Sequence, residues 1–120
     1  MRYLVLIIVD ENVTASPPEP LIDAMFAHVA DVSHAKVITD AGLAPSSSAI
    51  RVASHAGQVT STDGPFAEAK EVVGGFMLIE AATPEDAAAW TRGFVELHTA
   101  HWPELDLVTE LREVAGSLTD

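Results

Sequence analysis

The chain has no cysteine, so disulfides, thiolate metal ligands and cysteine nucleophiles are excluded together. Nothing in it requires an oxidising compartment. Positive charge is scarce as well. Six Lys or Arg face 18 Asp or Glu in 120 residues, for a formal net charge of −12 with five neutral histidines. Recognition of a phosphate backbone needs clustered cations, and these stand singly, which excludes nucleic acid as a direct partner. An anionic membrane surface repels the chain for the same reason. Long apolar runs are missing too. The strongest, Tyr3–Val9, gives way at once to Asp10 and Glu11, whereas crossing a bilayer takes ~20 residues. It lacks the small-residue cleavage site of a secretory signal, and the expectation is a soluble, cytoplasmic protein. What the chain does have is 48% apolar residues. That is enough for a core and too much for a disordered acidic tail, and the length fits one domain over residues 1–120.

Tyr3-Leu-Val-Leu-Ile-Ile-Val9 is apolar at every position and rich in β-branched residues, as a central strand requires. Ser16-Pro-Pro-Glu-Pro20 then offers helix-start chemistry, with Ser16 as the cap candidate and prolines in the first turn. Behind it Ile22, Met25, Phe26 and Val29 form the stripe of a helix running from about Pro18 to about Asp31. Lys36–Leu43 reads as a second strand. Ala49–Ser54 and Gln58–Thr62 flank His55-Ala-Gly57 as a hairpin. Val72–Glu80 is a further strand, and its Gly74-Gly75 pair marks a bulge or a close backbone approach. Thr83-Pro-Glu-Asp86 is a capped helix start, with Asp86 placed to reach back as in a capping box. Ala87, Trp90, Phe94 and Leu97 supply the inward stripe of that helix. Leu105–Val114 fits both periods, and Glu, Leu and Arg tilt it toward helix.

Two β-α-β halves around a hairpin predict an α+β, ferredoxin-like βαβ-βαβ domain with both helices on one face of the sheet. The opposite face is left apolar, and a second copy of the chain is the simplest cover for it. The pattern therefore predicts a homodimer.

The densest set of functional side chains is Thr62-Asp-Gly-Pro-Phe-Ala-Glu-Ala-Lys-Glu71. Followed by Gly74-Gly-Phe76, it resembles the signature of the YCII-related (YciI-like) proteins, in the subgroup called DGPF-domain proteins. Met1–Ile7 with Asp10-Glu11, Ala41–Ser47, Ala49–Val52 and Glu110-Leu-Arg-Glu-Val114 are similar to the corresponding stretches of that family. The resemblance implies a dimeric α/β-barrel of ferredoxin-like chains and turns the last segment into a strand. It implies no settled reaction. Some YciI-like relatives employ a His–Asp pair in acid–base or elimination chemistry. Here His28 falls about one turn from the family's histidine, and the Asp-Pro after the second helix is absent. Association of relatives with extracytoplasmic-function sigma factors implies a regulatory alternative, without enzymatic activity.

The side chains themselves suggest an acid–base site. A carboxylate enclosed between sheet and helices loses solvation and gains the proton affinity of a general base. On that basis Asp63 is the candidate catalytic group in a small-molecule cleft near the Asp63–Glu71 loop. Arg51 is the candidate two-pronged anchor for an anionic group, and Phe66, Glu68, Lys70 and Asp10 are further lining residues. Gly64, Pro65, Gly74 and Gly75 hold the backbone. The alternative leaves Asp63 a turn residue bonded to its own backbone. Lyase-like chemistry at such a site requires no cofactor and no metal. His98 and His101 share the i, i+3 spacing of a ligand pair, but helix C-termini favour imidazoles without any metal. His28, His34 and His55 read as surface or core-edge residues. Asp23, Asp31, Glu85 and Glu96 are expected on outer helical faces, where they keep the acidic surfaces of two copies apart.

Overall fold

An apolar, β-branched segment flanked by two others of its kind becomes the centre of a sheet. A computed structural model of the chain describes residues 1–13, 15–66 and 71–119. Its elements are β1 (Arg2–Asp10), α1 (Glu19–Ala30), β2 (Lys36–Gly42), β3 (Ile50–His55), β4 (Gln58–Asp63), β5 (Glu71–Glu80), α2 (Pro84–His101) and β6 (Leu107–Glu113), with a 3-10 turn at Ser46–Ser48. Four strands form an antiparallel sheet in the order β2-β5-β1-β6, and β3 and β4 form a separate two-stranded ribbon.

The pleat sorts β1 by parity. Tyr3 and Val5 are buried and Ile7 packs beside them, together with Met77 and Ile79 of β5 and Leu107 and Leu111 of β6. Ala87, Trp90 and Phe94 of α2 close this layer, and Met25 and Val29 of α1 lean on it. Val5, Leu21, Ile79 and Trp90 are the largest side chains fully withdrawn from solvent. The other parity, Leu4, Leu6 and Ile8, stays half-buried on the open face. Asp23, Asp31, Glu85 and Glu96 are exposed on the helices and their ends, as charge balance predicted.

Three local expectations need correction, and one segment follows the family resemblance over its own propensity. Ser16 does not cap α1: Pro18, held extended at φ −59° and ψ 144°, occupies the N-cap position, and among the described residues no side chain bonds there. The consecutive prolines delay the helix until Glu19. Phe26 does not join the inward stripe. It is 73% exposed, because the face of α1 turned inward is that of Leu21, Met25 and Val29. Thr83 does cap α2, accepting from the Asp86 N–H at 3.1 Å, but the Asp86 carboxylate meets His34 Nδ1 at 3.2 Å. Finally, Leu107–Glu113 is a strand against its local helix propensity. It pairs with β1 from Tyr3↔Glu113 to Val9↔Leu107, because the open edge of β1 offers a full ladder.

Candidate functional site

The signature turn sits at the root of the β3–β4 ribbon. Asp63 ends β4 opposite Ile50 and is exposed, not enclosed between sheet and helices. The burial that acid–base work at Asp63 presupposes is therefore lacking at this position. Gly64 follows, joined to Pro65 by a cis peptide. Its N–H donates to the Ala49 carbonyl at 2.8 Å, and a Cβ there would lie 1.8 Å from the Ser46 carbonyl oxygen. Only glycine fits so close an approach. Arg51 is exposed on β3 with its guanidinium 3.8 Å from the centre of the Phe66 ring, a cation–π contact that ties ribbon to turn. Glu68 and Lys70 lie outside the described residues. Asp10, at the end of β1, pairs with Glu71, and its Oδ1 accepts from the Asn12 N–H at 2.9 Å.

Two spaces open beside the β1–β5 pair, and both depend on the glycines. The register slips between Ile7↔Gly75 and Ile8↔Val73, which leaves Gly74 as the bulge residue. A Cβ on Gly74 would lie 2.6 Å from Val9 Cγ2, and one on Gly75 would lie 2.9 Å from the Ala41 carbonyl oxygen. The bare floor left by this pair opens into a cleft of about 440 Å3 between α1 and the sheet. Ile7, Ile22, Met25, Phe26, Met77 and Phe94 make its walls, and Asp40 brings the charged group. A second space of about 300 Å3 shares Gly74 and is lined by Asp10, Glu11, Val72, Pro45, Trp102 and Leu105. Asp63, Arg51 and Phe66 line neither space.

Glu11 anchors the mouth of the second space. Its carboxylate accepts from the Ser46 N–H at 3.0 Å and from the Ser46 hydroxyl. These bonds favour the ionised form and hold the carboxyl below its ordinary proton affinity, against weaker opposition from desolvation and Asp10. The tie joins the end of β1 to the segment leading into the ribbon. Sequence reasoning gave Glu11 no partner. An acid after a strand and a Ser run 35 residues later carry no pairing signal.

Two of the five histidines, His28 and His98, serve packing. His98 is buried, its Nδ1–H donates to the Phe94 carbonyl at 2.8 Å, and its ring lies 4.5 Å from that of Phe94. Burial lowers its pKa, partly offset by the bond to Phe94. His28 fits a notch left by Gly93, with its ring 4.6 Å from Trp90 and its Nε2–H donating to the Trp90 carbonyl at 2.9 Å. Among the described residues no three His, Asp or Glu side chains converge as a metal-binding set, and no helix is long and apolar enough to cross a membrane.

The element order and the all-antiparallel β2-β5-β1-β6 sheet with two helices define an α+β domain consistent with a ferredoxin-like fold. Within that class the chain belongs to the YCII-related domain family, whose model matches residues 1–108. It is similar to a protein of Rhizobium meliloti (strain 1021) described only as uncharacterized. The two are 32% identical over 97 residues, covering 77% of this chain and 78% of that protein.

Proposed function

We propose that the protein is a small-molecule-binding domain, working as a homodimer, whose ligand lies in the cleft between α1 and the sheet. One observation carries this function: the paired glycines of the β5 bulge leave about 440 Å3 of largely apolar space between α1 and the sheet. Apolar walls with few polar groups are the usual make-up of a ligand site. Asp40 in the cleft, and Asp10 and Glu11 in the adjoining space at the end of the Asp63–Glu71 segment, favour a ligand with an apolar body and a cationic or hydrogen-donating end. The half-buried Leu4, Leu6 and Ile8 on the opposite sheet face support pairing of two copies into an α/β-barrel.

Thermal shift with benzylamine, benzyl alcohol and benzoate tests the ligand site. The amine raises Tm most and benzoate least at concentrations to about 10 mM, and Ile22→Trp, which fills the cleft, abolishes the shifts. Absence of a saturable shift with all three, or shifts unchanged in Ile22→Trp, would overturn the assignment.

A second function, acid–base turnover with Asp63 as the reacting group and Arg51 as anion anchor, draws support from the Arg51–Phe66 contact, which fixes the guanidinium beside the Gly-Pro turn. Turnover of a bound ligand that disappears in Asp63→Asn favours it. Binding without turnover favours a regulatory module of the kind associated with extracytoplasmic-function sigma factors.

A further inference from the structure

A two-stranded ribbon has no stability of its own in water and needs a third layer. Every residue of β3 and β4 is nevertheless exposed in the single chain. Cross-strand pairing sorts the ribbon into two faces. Arg51, Ala53, His55, Gln58, Thr60 and Thr62 make one face, while the other gathers Ile50, Val52 and Val59 with Ser54, Ser61 and Asp63. The three aliphatic side chains of that second face are 66%, 67% and 75% exposed.

The same chain carries the complementary surface. The open face of the main sheet has Leu4, Leu6, Phe76 and Leu78 at its centre and Val108 on the edge strand, with Arg2, Glu80, Glu110 and Arg112 around them. An apolar centre inside a charged rim is the anatomy of a protein interface. Charge selects the partner. Residues 41–62 contain no Asp or Glu in a chain with 18 of them, and Asp63 at the root of β4 is the ribbon's one carboxylate, so the ribbon is the stretch that a second, equally acidic copy can approach with least repulsion. Size points the same way. The sheet face projects roughly 440 Å2 and the ribbon face about 200 Å2 more, from strand spacing and rise. A stable interface hides about 800 Å2 per partner; the sheet face alone reaches about half of that, and the two faces together about four-fifths. The Cα radius of gyration is 16.3 Å, in a body only 18 Å thick, whereas a self-contained domain of this length has about 14 Å.

We propose that the β3–β4 ribbon is a clasp: each copy lays Ile50, Val52 and Val59 on the open sheet face of a second copy of this chain. The inference rests on the sheet-face dimer proposed above and adds the element that completes it. A two-fold axis makes the exchange reciprocal, so both unpartnered faces of both copies are covered at once.

Sedimentation equilibrium on the full chain tests it. The native protein is dimeric, and the double variant Val52→Asp/Val59→Asp weakens the dimer by at least about a hundredfold, since four buried valines are lost per dimer. Its far-UV circular dichroism stays native, because neither side chain touches the core. The milder Val59→Ser shifts the equilibrium in the same direction. Val108→Asp on the sheet face also dissociates the dimer, whereas Val32→Asp, exposed in the α1–β2 connection, leaves it unchanged. A monomeric native chain overturns both the dimer and the clasp. A dimer that Val108→Asp breaks while the ribbon variants do not overturns the clasp alone. The benzylamine shift is read separately, so ligand binding and clasp fail independently.

Discussion

The main sheet with α2 and the β3–β4 ribbon are built from similar strand-forming residues but are stabilised by different means. In the sheet, Tyr3, Val5, Met77 and Ile79 are buried against Trp90 and Phe94, and removing apolar area from water supplies the free energy. In the ribbon no residue is buried, and order rests on backbone pairing, the Gly64–Ser46 approach, the Arg51–Phe66 contact and the Glu11–Ser46 tie. Hydrophobic burial fixes the first region within one chain. The second is specified in geometry and left to be covered, and that contrast predicts where substitutions act globally and where they act locally.

The largest effect belongs to the core. Trp90→Ala removes a side chain that is 2% exposed and should cost about 3–5 kcal/mol of global stability in urea unfolding. Trp90→Phe should cost far less than that, because the buried indole N–H has no partner among the described residues and no hydrogen bond is lost. Gly64→Ala comes next, at about 1–3 kcal/mol from forced overpacking against the Ser46 carbonyl. Its effect is confined to the ribbon: hydrogen exchange should accelerate in residues 50–63 while β1 and β5 keep their protection. Loss of protection across the whole sheet would show that the two regions are not separable.

Two titrations sharpen the same contrast. His98 belongs to the core side. Its folded-state pKa is lowered by burial, so between that value and its ordinary one of about 6.5 the unfolded chain binds the extra proton. Stability therefore falls as pH drops through this window and levels off below the folded value. His98→Gln should flatten this part of a Tm-against-pH curve. Glu11 belongs to the ribbon side, with its carboxyl lowered chiefly by Ser46. Its contribution is present above the unfolded carboxylate value and is lost as pH falls through the folded one. The Ser46 amide proton should report this locally, titrating below the ordinary carboxylate range in the native chain and not at all in Glu11→Gln.

How far the fold could be read in advance follows the same division. The strands Tyr3–Val9 and Val72–Glu80 and the Thr83 cap were legible because periodicity and capping are local signals, and Gly74-Gly75 marked the bulge for the same reason. Phe26 misled because a stripe of four residues leaves the rotation of the helix undetermined, and packing turns Leu21, Met25 and Val29 toward the core instead. The last strand defeated propensity, since Leu107–Glu113 is extended by the ladder it shares with β1. Site residues were harder. Asp63, Arg51 and Phe66 were recognisable as a motif, but their distance from the two clefts depends on how the ribbon leaves the sheet, and no local pattern encodes that.

The smallest expected effect tests the ribbon at its tip. His55 pairs with Gln58, so the turn consists of Ala56 and Gly57 alone, and both have positive φ, +49° and +78°. Two such residues in a two-residue loop match a type I′ turn, whose twist suits the flanking strands. Glycine adopts that conformation freely, whereas alanine there carries a Cβ penalty of roughly 1 kcal/mol. Asparagine relieves part of it. Ala56→Asn should therefore stabilise the ribbon by a few tenths of a kcal/mol, seen as slower exchange of the β3 and β4 amides, while global Tm barely moves. If the substitution instead raised Tm as much as a core change does, the ribbon would be part of the cooperative unit of the single chain, and the contrast between buried sheet and exposed clasp would fail.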